Sequence, residues 1–374
     1  MKRRKILIVA NTSWFIQNFE SALIRALQST LEVVAVTPHD DWSSKFASLG
    51  VRFVELPMSR RGLNPFDDTR MALGLYRIYK REEPEVIFHN TIKPVIYGSI
   101  AARAAGVKGI LNMIPGLGYV FTGQTLKHRS LRPLVKLMYR CALDGSHRVF
   151  FQNPDDRRYF VENALVKADK TELTYGLGVD LERFQYVEPA PTTRGCTFIL
   201  MSRMLWDKGV GEFVAAATQL KRTFVEARFQ LLGKLDQDNP SHIDRETIDE
   251  WHRSGVVEYL GEVSDVRPIL EKADVVVLPS YYREGVPNAL LEGLALGRPV
   301  ITTDAPGCRE TVVDGVNGLL IPPRDVAALS EAMRYMITHR ERRVEMGREG
   351  RKLAIARFDV NLVNAMILRA VRNS

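Results

Sequence analysis

Apolar, β-branched runs recur along the chain with room for one helix between each pair. In the first half they fall at 5–10, 32–37, 51–56, 85–89, 108–113 and 147–151, with helix-period patterns between them, as at 19–29, 67–82 and 94–105. Runs with no polar alternation predict strands covered on both faces, hence a parallel sheet between helical layers. A break rich in Pro, Thr and Gly at 187–195 reads as a linker. A second series then predicts strands at 197–202, 227–232, 256–260, 274–278, 299–302 and 318–321, and helices at 210–222, 265–272, 287–296 and 325–338. The last 30 or so residues read as helical and basic on one face. The expectation is an α/β chain of two doubly wound domains, 1–187 and 196–355, with a terminal helix over 356–374.

The stretch between the strands at 274–278 and 299–302 carries the densest chemistry. It runs Glu284-Gly285-Val286-Pro287-Asn288-Ala289-Leu290-Leu291-Glu292-Gly293, a loop that becomes a helix with Pro287 near its first position, where a missing N–H costs nothing. Glu284 then lies in the loop at a strand's carboxyl end. Glu292 lies five helical residues inward, roughly 7 to 8 Å along the axis at about 1.5 Å per residue. Free N–H groups at the helix start between them favour an anion. Phosphate at the helix start, with a carboxylate for hydroxyls on each side, suits a nucleotide-sugar.

Composition narrows the partners. The formal net charge of +8 points to a negatively charged partner: nucleic acid, an anionic membrane or a phosphorylated substrate. Nucleic acid is the weakest of these, since basic and aromatic residues are not interleaved and no nucleic-acid motif occurs. Cys141, Cys196 and Cys308 are far apart and suggest neither a disulfide framework nor a zinc site, which makes the reducing cytosol the natural compartment. Lys2-Arg3-Arg4-Lys5 precedes an apolar run too short for a signal peptide and better read as the first strand. No apolar stretch reaches the 18 or so residues of a transmembrane helix.

The turn after the first strand, Asn11-Thr12-Ser13-Trp14-Phe15-Ile16-Gln17-Asn18, contains no glycine, which argues against a dinucleotide fingerprint. In the second half the first strand ends in Met201-Ser202-Arg203-Met204-Leu205-Trp206-Asp207-Lys208-Gly209. Arg203 and Lys208 thus fall on the loop at a strand's carboxyl end, positioned to clamp a diphosphate. Ser202-Arg203-x4-Lys208-Gly209, Glu284-x7-Glu292-Gly293, Gly297-x-Pro299-Val300-Ile301, Gly307, Glu310 and Asp314-Gly315-x-Asn317-Gly318 together resemble the retaining glycosyltransferases of family four. In the first half, His89-Asn90-Thr91-Ile92-Lys93-Pro94-x2-Tyr97-Gly98 and Gly116-Leu117-Gly118-x2-Phe121 resemble the subgroup that extends undecaprenyl-diphosphate-linked sugars, such as the N-acetylgalactosaminyltransferases.

The resemblance covers essentially the whole chain. It implies the GT-B fold: two Rossmann-like domains with a cleft between them, and the terminal helix packing back on the first. It implies that Arg203 and Lys208 bind the nucleotide diphosphate, and that Glu284 holds the donor sugar and Glu292 the ribose. Backbone at Gly285, Val286, Asn288 and Ala289 would meet phosphate or sugar, and Val263 the base. His89 would lie at the reaction centre, with Asn90, Lys93, Gly116 and Gly118 toward the acceptor. The missing glycine pair at 11–18 is a departure, which leaves phosphate approach to the second domain or to Gly116 and Gly118. Asp236-Gln237-Asp238 resembles a metal motif of another glycosyltransferase fold and reads as a solvated loop; no metal or other cofactor is expected.

Arg129, Arg132, Lys136 and Arg140 recur beside Leu131, Leu134, Val135, Leu137 and Met138, the pattern of an amphipathic basic helix on an anionic membrane. Arg60, Arg61 and 77–81 could add to that surface. The function expected is transfer of a hexose or N-acetylhexosamine from a UDP-sugar to an undecaprenyl-diphosphate-linked saccharide. It would take place in the cytoplasm, peripherally on the membrane's inner face. A UDP-sugar 2-epimerase and a non-catalytic membrane-bound assembly partner are the alternatives. Oligomeric state has no signal in the sequence.

Overall fold

The structure is a computed structural model and describes residues 4–59, 64–117, 121, 126–188 and 195–374. The chain divides into two compact units, one of 1–177 with 360–374 and the other of 178–359.

The first unit has a seven-stranded sheet of β1 (Lys5–Val9), β2 (Glu32–Thr37), β3 (Arg52–Glu55), β4 (Val86–Asn90), β5 (Gly109–Ile114), β6 (Arg148–Phe151) and β7 (Thr171–Leu173), in the order β3-β2-β1-β4-β5-β6-β7. Every pairing is parallel, as the unbroken apolar runs predict. Its helices are α1 (Ser13–Phe19), α2 (Ser21–Gln28), α3 (Pro65–Glu82), α4 (Ser99–Ala105), α5 (Leu126–Asp144) and α6 (Pro154–Glu162). One sheet face, with Ile6, Ile8, Ala35 and Phe88, packs against Leu23, Ile24 and Leu27 of α2. The other, with Leu7, Val9, Val34 and Ile87, packs against Met71, Leu75 and Ile78 of α3. Strand order reverses between β1 and β4, and the loops that leave their carboxyl ends diverge there, the usual ligand position in such sheets.

The second unit repeats the plan. Strands β8 (Thr197–Met201), β9 (Arg228–Leu232), β10 (Glu258–Tyr259), β11 (Val275–Leu278), β12 (Val300–Thr303) and β13 (Gly318–Ile321) form a parallel sheet ordered β10-β9-β8-β11-β12-β13. The reversal falls between β8 and β11. The helices are α7 (Val210–Lys221), α8 (Arg245–Arg253), α9 (Arg267–Leu270), α10 (Asn288–Ala295), α11 (Val326–Thr338) and α12 (Arg340–Arg357).

Two boundaries differ from the sequence reading. The units part at 177/178, not near 187–195. Residues 178–188 belong to the second unit because its cations hold their carbonyls: buried Arg298 donates to Val187 at 2.8 Å, and part-buried Arg351 to Phe184 at 2.8 Å. The expected terminal helix at 356–374 begins instead at 360. Phe358 is fully buried and its carbonyl accepts from the Val179 amide at 2.7 Å, which ends α12 and starts α13 (Val360–Arg372). Through Val363, Ile367 and Val371, α13 joins the first unit's core. Strand β7 and helices α1, α6 and α8 have no counterpart in the sequence reading.

Arg298 is 1% exposed and also donates to the carbonyls of Leu270 at 3.3 Å and Glu271 at 2.8 Å. Replacing it leaves three carbonyls short of a donor. Arg298→Met is expected to cost about 2–4 kcal/mol of the second unit's stability by calorimetric unfolding, with Arg298→Lys recovering only part; an unchanged transition would contradict this role.

Candidate active site

Two loops meet at the reversal point of the second unit. The loop after β8 turns through a short 3-10 helix, Trp206–Lys208, and leaves it at Gly209 with φ of 75°. A Cβ at Gly209 would lie 2.2 Å from the Pro279 carbonyl oxygen, so glycine is what lets this loop press against the end of β11. The Asp207 carbonyl then accepts from the Tyr281 and Tyr282 amides at 3.0 and 3.1 Å. The consequence is electrostatic. Lys208 and Glu284 form an ion pair in which both side chains are 12% exposed, and the Ser280 hydroxyl donates to the second oxygen of Glu284 at 2.7 Å. Arg203 pairs with Asp236 at 2.6 Å and keeps a side chain 44% exposed. Asp236 is thus an arginine partner; no group of three or more His, Cys, Asp and Glu that could hold a metal ion occurs among the described residues.

Glu284 leads into α10. Gly307, with φ of 88°, lets its loop approach so closely that a Cβ would overlap the Gly285 carbonyl oxygen at 1.7 Å. Pro287 occupies the N-cap, one residue earlier than predicted, and no side chain caps α10. Its first bonds are Leu290 and Leu291 N–H to the Pro287 carbonyl at 3.1 and 3.3 Å, which leaves the Asn288 and Ala289 amides outside the helical ladder. The Asn288 side-chain carbonyl is buried without a partner at the same place. The Glu292 carboxyl, one turn in, makes no hydrogen bond among the described residues. Burial pushes its carboxyl up to about 7, an effect reduced by Arg183 and reinforced by Asp265. Val263 is part-buried on the loop after β10, at the same carboxyl edge of the sheet as Arg203 and Lys208.

The first unit treats its predicted residues differently. His89 does not reach the sheet edge. It is wholly buried; its Nδ1–H donates to Asn112 Oδ1 at 3.1 Å and its Nε2 accepts from the Tyr79 hydroxyl at 2.9 Å. Ser99 and Ser146 complete the network around Asn112. Burial, only partly offset by the Asn112 bond, drives the imidazole down to about 3, so it stays neutral. A role for His89 at the reaction centre does not fit this setting. Lys93 is likewise spoken for: its ammonium pairs with Asp68 at 2.7 Å and donates to the Ser59 hydroxyl at 2.8 Å, and Tyr97 donates to the other Asp68 oxygen at 3.0 Å. Asn90, one residue beyond His89, is the predicted first-unit residue with unpaired polar atoms. Gly116 follows β5 with φ of 151°; Gly118 lies outside the described residues. The glycine-free turn is α1 itself. Its first amides go to Thr12 Oγ1 (from Phe15, 3.1 Å) and to the Asp40 carboxylate (from Ser13, 2.8 Å), so a protein carboxylate already fills the anion position.

On α5, Val135, Tyr139 and Leu143 face the core. Leu134 and Leu137 are 54% and 58% exposed, beside the exposed Arg140. Arg132 is part-buried, and Lys136 turns inward to Asn163 at 2.7 Å, off the predicted basic face. The Arg129 side chain, Arg60 and Arg61 lie outside the described residues. No helix among the described residues is long and apolar enough to cross a membrane.

Residues 5–153 match the model of the glycosyl transferase 4-like family, and residues 195–339 that of the glycosyl transferases group 1. The chain thus carries two glycosyltransferase domains, one of each type. A curated relative of this glycosyltransferase is the N,N'-diacetylbacillosaminyl-diphospho-undecaprenol alpha-1,3-N-acetylgalactosaminyltransferase of Campylobacter jejuni, 28% identical over 95% of this chain and 94% of that one. Another is the Escherichia coli UDP-Gal:alpha-D-GlcNAc-diphosphoundecaprenol alpha-1,3-galactosyltransferase, 24% identical over 76% of this chain and 74% of that one. Among solved structures, a Rickettsia africae glycosyltransferase superposes with a TM-score of 0.79 at 17% identity over 100% of this chain and 99% of that one. Anabaena HepE in complex with UDP superposes with 0.78 at 16% identity over 99% of this chain and 100% of that one. The fold is GT-B.

What the sequence reading missed in this glycosyltransferase is mostly scaffolding. Ser280, Asp207 and Asp236 orient the charged groups, yet each sits where a loop serine or aspartate is unremarkable; Gly209 and Gly307 carried the available signal. His89→Gln is expected to lower Tm by several degrees while leaving turnover per folded molecule within about threefold, because the ring bonds only to core partners. A loss of turnover above about a hundredfold at unchanged Tm would return His89 to the chemistry.

Proposed function

We propose that this glycosyltransferase moves a hexose or N-acetylhexosamine, with retention of configuration, from a UDP-sugar to an undecaprenyl-diphosphate-linked saccharide. The pathway would be bacterial surface polysaccharide or glycoprotein glycan assembly, on the inner face of the cytoplasmic membrane. The observation that carries the reading is the set Arg203, Lys208, Glu284 and Glu292 at one sheet edge around the uncapped start of α10. Two relatives whose names give undecaprenyl-diphosphate-linked acceptors and alpha linkages support it, one of them with UDP-Gal as donor.

In this reading Arg203, Lys208 and the Asn288 and Ala289 amides receive the diphosphate. Glu292 accepts from the ribose hydroxyls and Glu284 from the sugar, while Val263 lies against the base. Lys208, already held by Glu284, shifts toward the phosphate as the donor enters, so that sugar and diphosphate are held by one linked pair. As the bond from sugar C1 to the UDP oxygen breaks, the two cations and the helix start stabilise the charge on the leaving group. That group takes the acceptor hydroxyl's proton, and the acceptor oxygen bonds C1 from the same face. The chain's own cations supply the electrophilic work, and no metal or other cofactor enters the scheme.

Glu292 gives the test. With a folded value of about 7 against an ordinary 4.5, the unliganded protein favours the protonated carboxyl. Its stabilising effect is full below 4.5 and is lost as pH rises through about 7. A ligand that donates to the carboxylate must expel that proton. UDP affinity is therefore expected to rise by up to about tenfold per pH unit below 7 and to level off above it, measured by calorimetry with proton release. Glu292→Gln should weaken binding and leave only the dependence due to UDP's own phosphate. Identical profiles for the two proteins would refute the assignment, and conversion of the UDP-sugar to an epimer without acceptor would refute transfer itself.

Membrane attachment is assigned to the exposed apolar and basic face of α5. Leu134→Ser with Leu137→Ser is expected to reduce co-sedimentation with anionic vesicles by about tenfold or more without lowering Tm, since neither side chain is in the core. Unchanged sedimentation would put the membrane contact elsewhere.

A further inference from the structure

One residue of the second unit carries a strained backbone. Glycines aside, Arg324 alone among that unit's described residues has a positive φ, 62°. It sits in the turn that joins β13 to α11, after Pro322 and Pro323 and before Asp325, whose side chain caps α11 by accepting from the Ala328 amide at 2.9 Å. The left-handed region suits glycine or asparagine, and an arginine held there is strained. Its side chain is exposed yet engaged: the guanidinium lies over the Tyr281 ring, 4.3 Å from the centroid. Burial, then Glu212 and Asp207, hold the Tyr281 hydroxyl above its usual range, and Arg324 opposes them. The half-buried ring thus has an arginine on its face and two acids near by, one on α7 and one on the loop after β8.

Tyr281 is where the two site loops are fastened. Its amide donates to the carbonyl of Asp207, the residue before Lys208, at 3.0 Å. It follows Ser280, whose hydroxyl donates to Glu284 at 2.7 Å. The supports of both members of the Lys208 and Glu284 pair therefore run through Tyr281 or its neighbour. A strained residue persists where its surroundings over-determine it, and such residues gather beside functional sites. Stability alone does not account for this one, since an exposed cation over a ring contributes about as much as the left-handed backbone removes. What the contact changes is orientation. We propose that Arg324 is a positioning residue of the donor site: its guanidinium holds the Tyr281 ring, which fixes the Tyr281 amide on Asp207 and with it the spacing of Lys208 and Glu284. The proposal rests on the nucleotide-sugar reading of that pair for its effect on affinity, but not for its effect on the loops.

Arg324→Asn removes the cation and suits the backbone, while Arg324→Lys keeps a cation within reach of the ring. The Tm of Arg324→Asn is expected within about 2 °C of the wild type or above it, because asparagine enters the left-handed region more readily. Hydrogen exchange with no ligand present reads the loop contact itself: about tenfold faster in the peptide carrying Tyr281 and Tyr282 in Arg324→Asn, and largely restored in Arg324→Lys. UDP affinity by calorimetry falls about fivefold in Arg324→Asn, and Arg324→Lys stays within about twofold of the wild type. That loss shrinks to within about twofold when Lys208→Ala is already present. It keeps its full size beside Arg203→Ala, since Arg203 is anchored separately on Asp236. Unchanged exchange at Tyr281 and Tyr282, an equal loss of affinity in both backgrounds, or a loss that follows a fall in Tm would overturn the proposal. A wild type that binds no UDP while the exchange rates behave as expected would instead sink the donor reading and leave Arg324 as the residue that holds Tyr281.

Discussion

The second unit's site depends on one constraint: the loop after β8 is fastened to the loop after β11 before any ligand is present. The Asp207 carbonyl takes the Tyr281 and Tyr282 amides, and Gly209 lets the backbones touch. Only then do Lys208 and Glu284 meet as a pair that is almost withdrawn from water. An ion pair so placed is weak support for stability, because desolvation offsets its attraction. Its value lies in fixing two charges of opposite sign within reach of the same helix start. A glycosyl donor needs that arrangement: a cation for its diphosphate and a carboxylate for its hydroxyls, a few ångströms apart and already oriented.

The first unit divides its polar residues into two kinds. The His89, Asn112, Tyr79, Ser99 and Ser146 network and the Lys93, Asp68, Ser59 and Tyr97 network are closed; they fix the sheet and helix geometry behind the edge. Asn90 and Glu20 meet on the opposite face of the sheet. The strand's two-residue period is the reason, since it sends His89 to the α3 side and Asn90 to the α1 side. The same arithmetic that builds the core thus gives His89 and Asn90, one position apart, different partners.

Most of the architecture was legible in the sequence because each central strand is an unbroken apolar run that only a two-sided sheet can bury. Three-residue β7 was not, since a strand that short has no periodicity to detect. The joint at Phe358 was hidden because α12 and α13 are both good helix sequences, and only the Val179 contact separates them. The placement of Arg203, Lys208 and Glu284 on loops at strand ends, and of Glu292 in the following helix, was legible from spacing. The partners of His89 and Lys93 were hidden for a common reason. A polar residue at a strand's end looks ligand-facing until its tertiary partners are known, and Tyr79, Asn112 and Asp68 come from elements the motif does not include. Glu20 left no signal at all, lying in an ordinary helical stretch whose burial only the packing of α1 on the sheet reveals.

The central claim is that the Lys208 and Glu284 pair forms one nucleotide-sugar site with Arg203 at the start of α10. Calorimetric titration of UDP into the wild type and Lys208→Ala tests it most directly. The account predicts saturable UDP binding by the wild type, and at least about a thirtyfold loss on removing a charge-assisted contact to the diphosphate. Equal UDP affinity in the two proteins would contradict it.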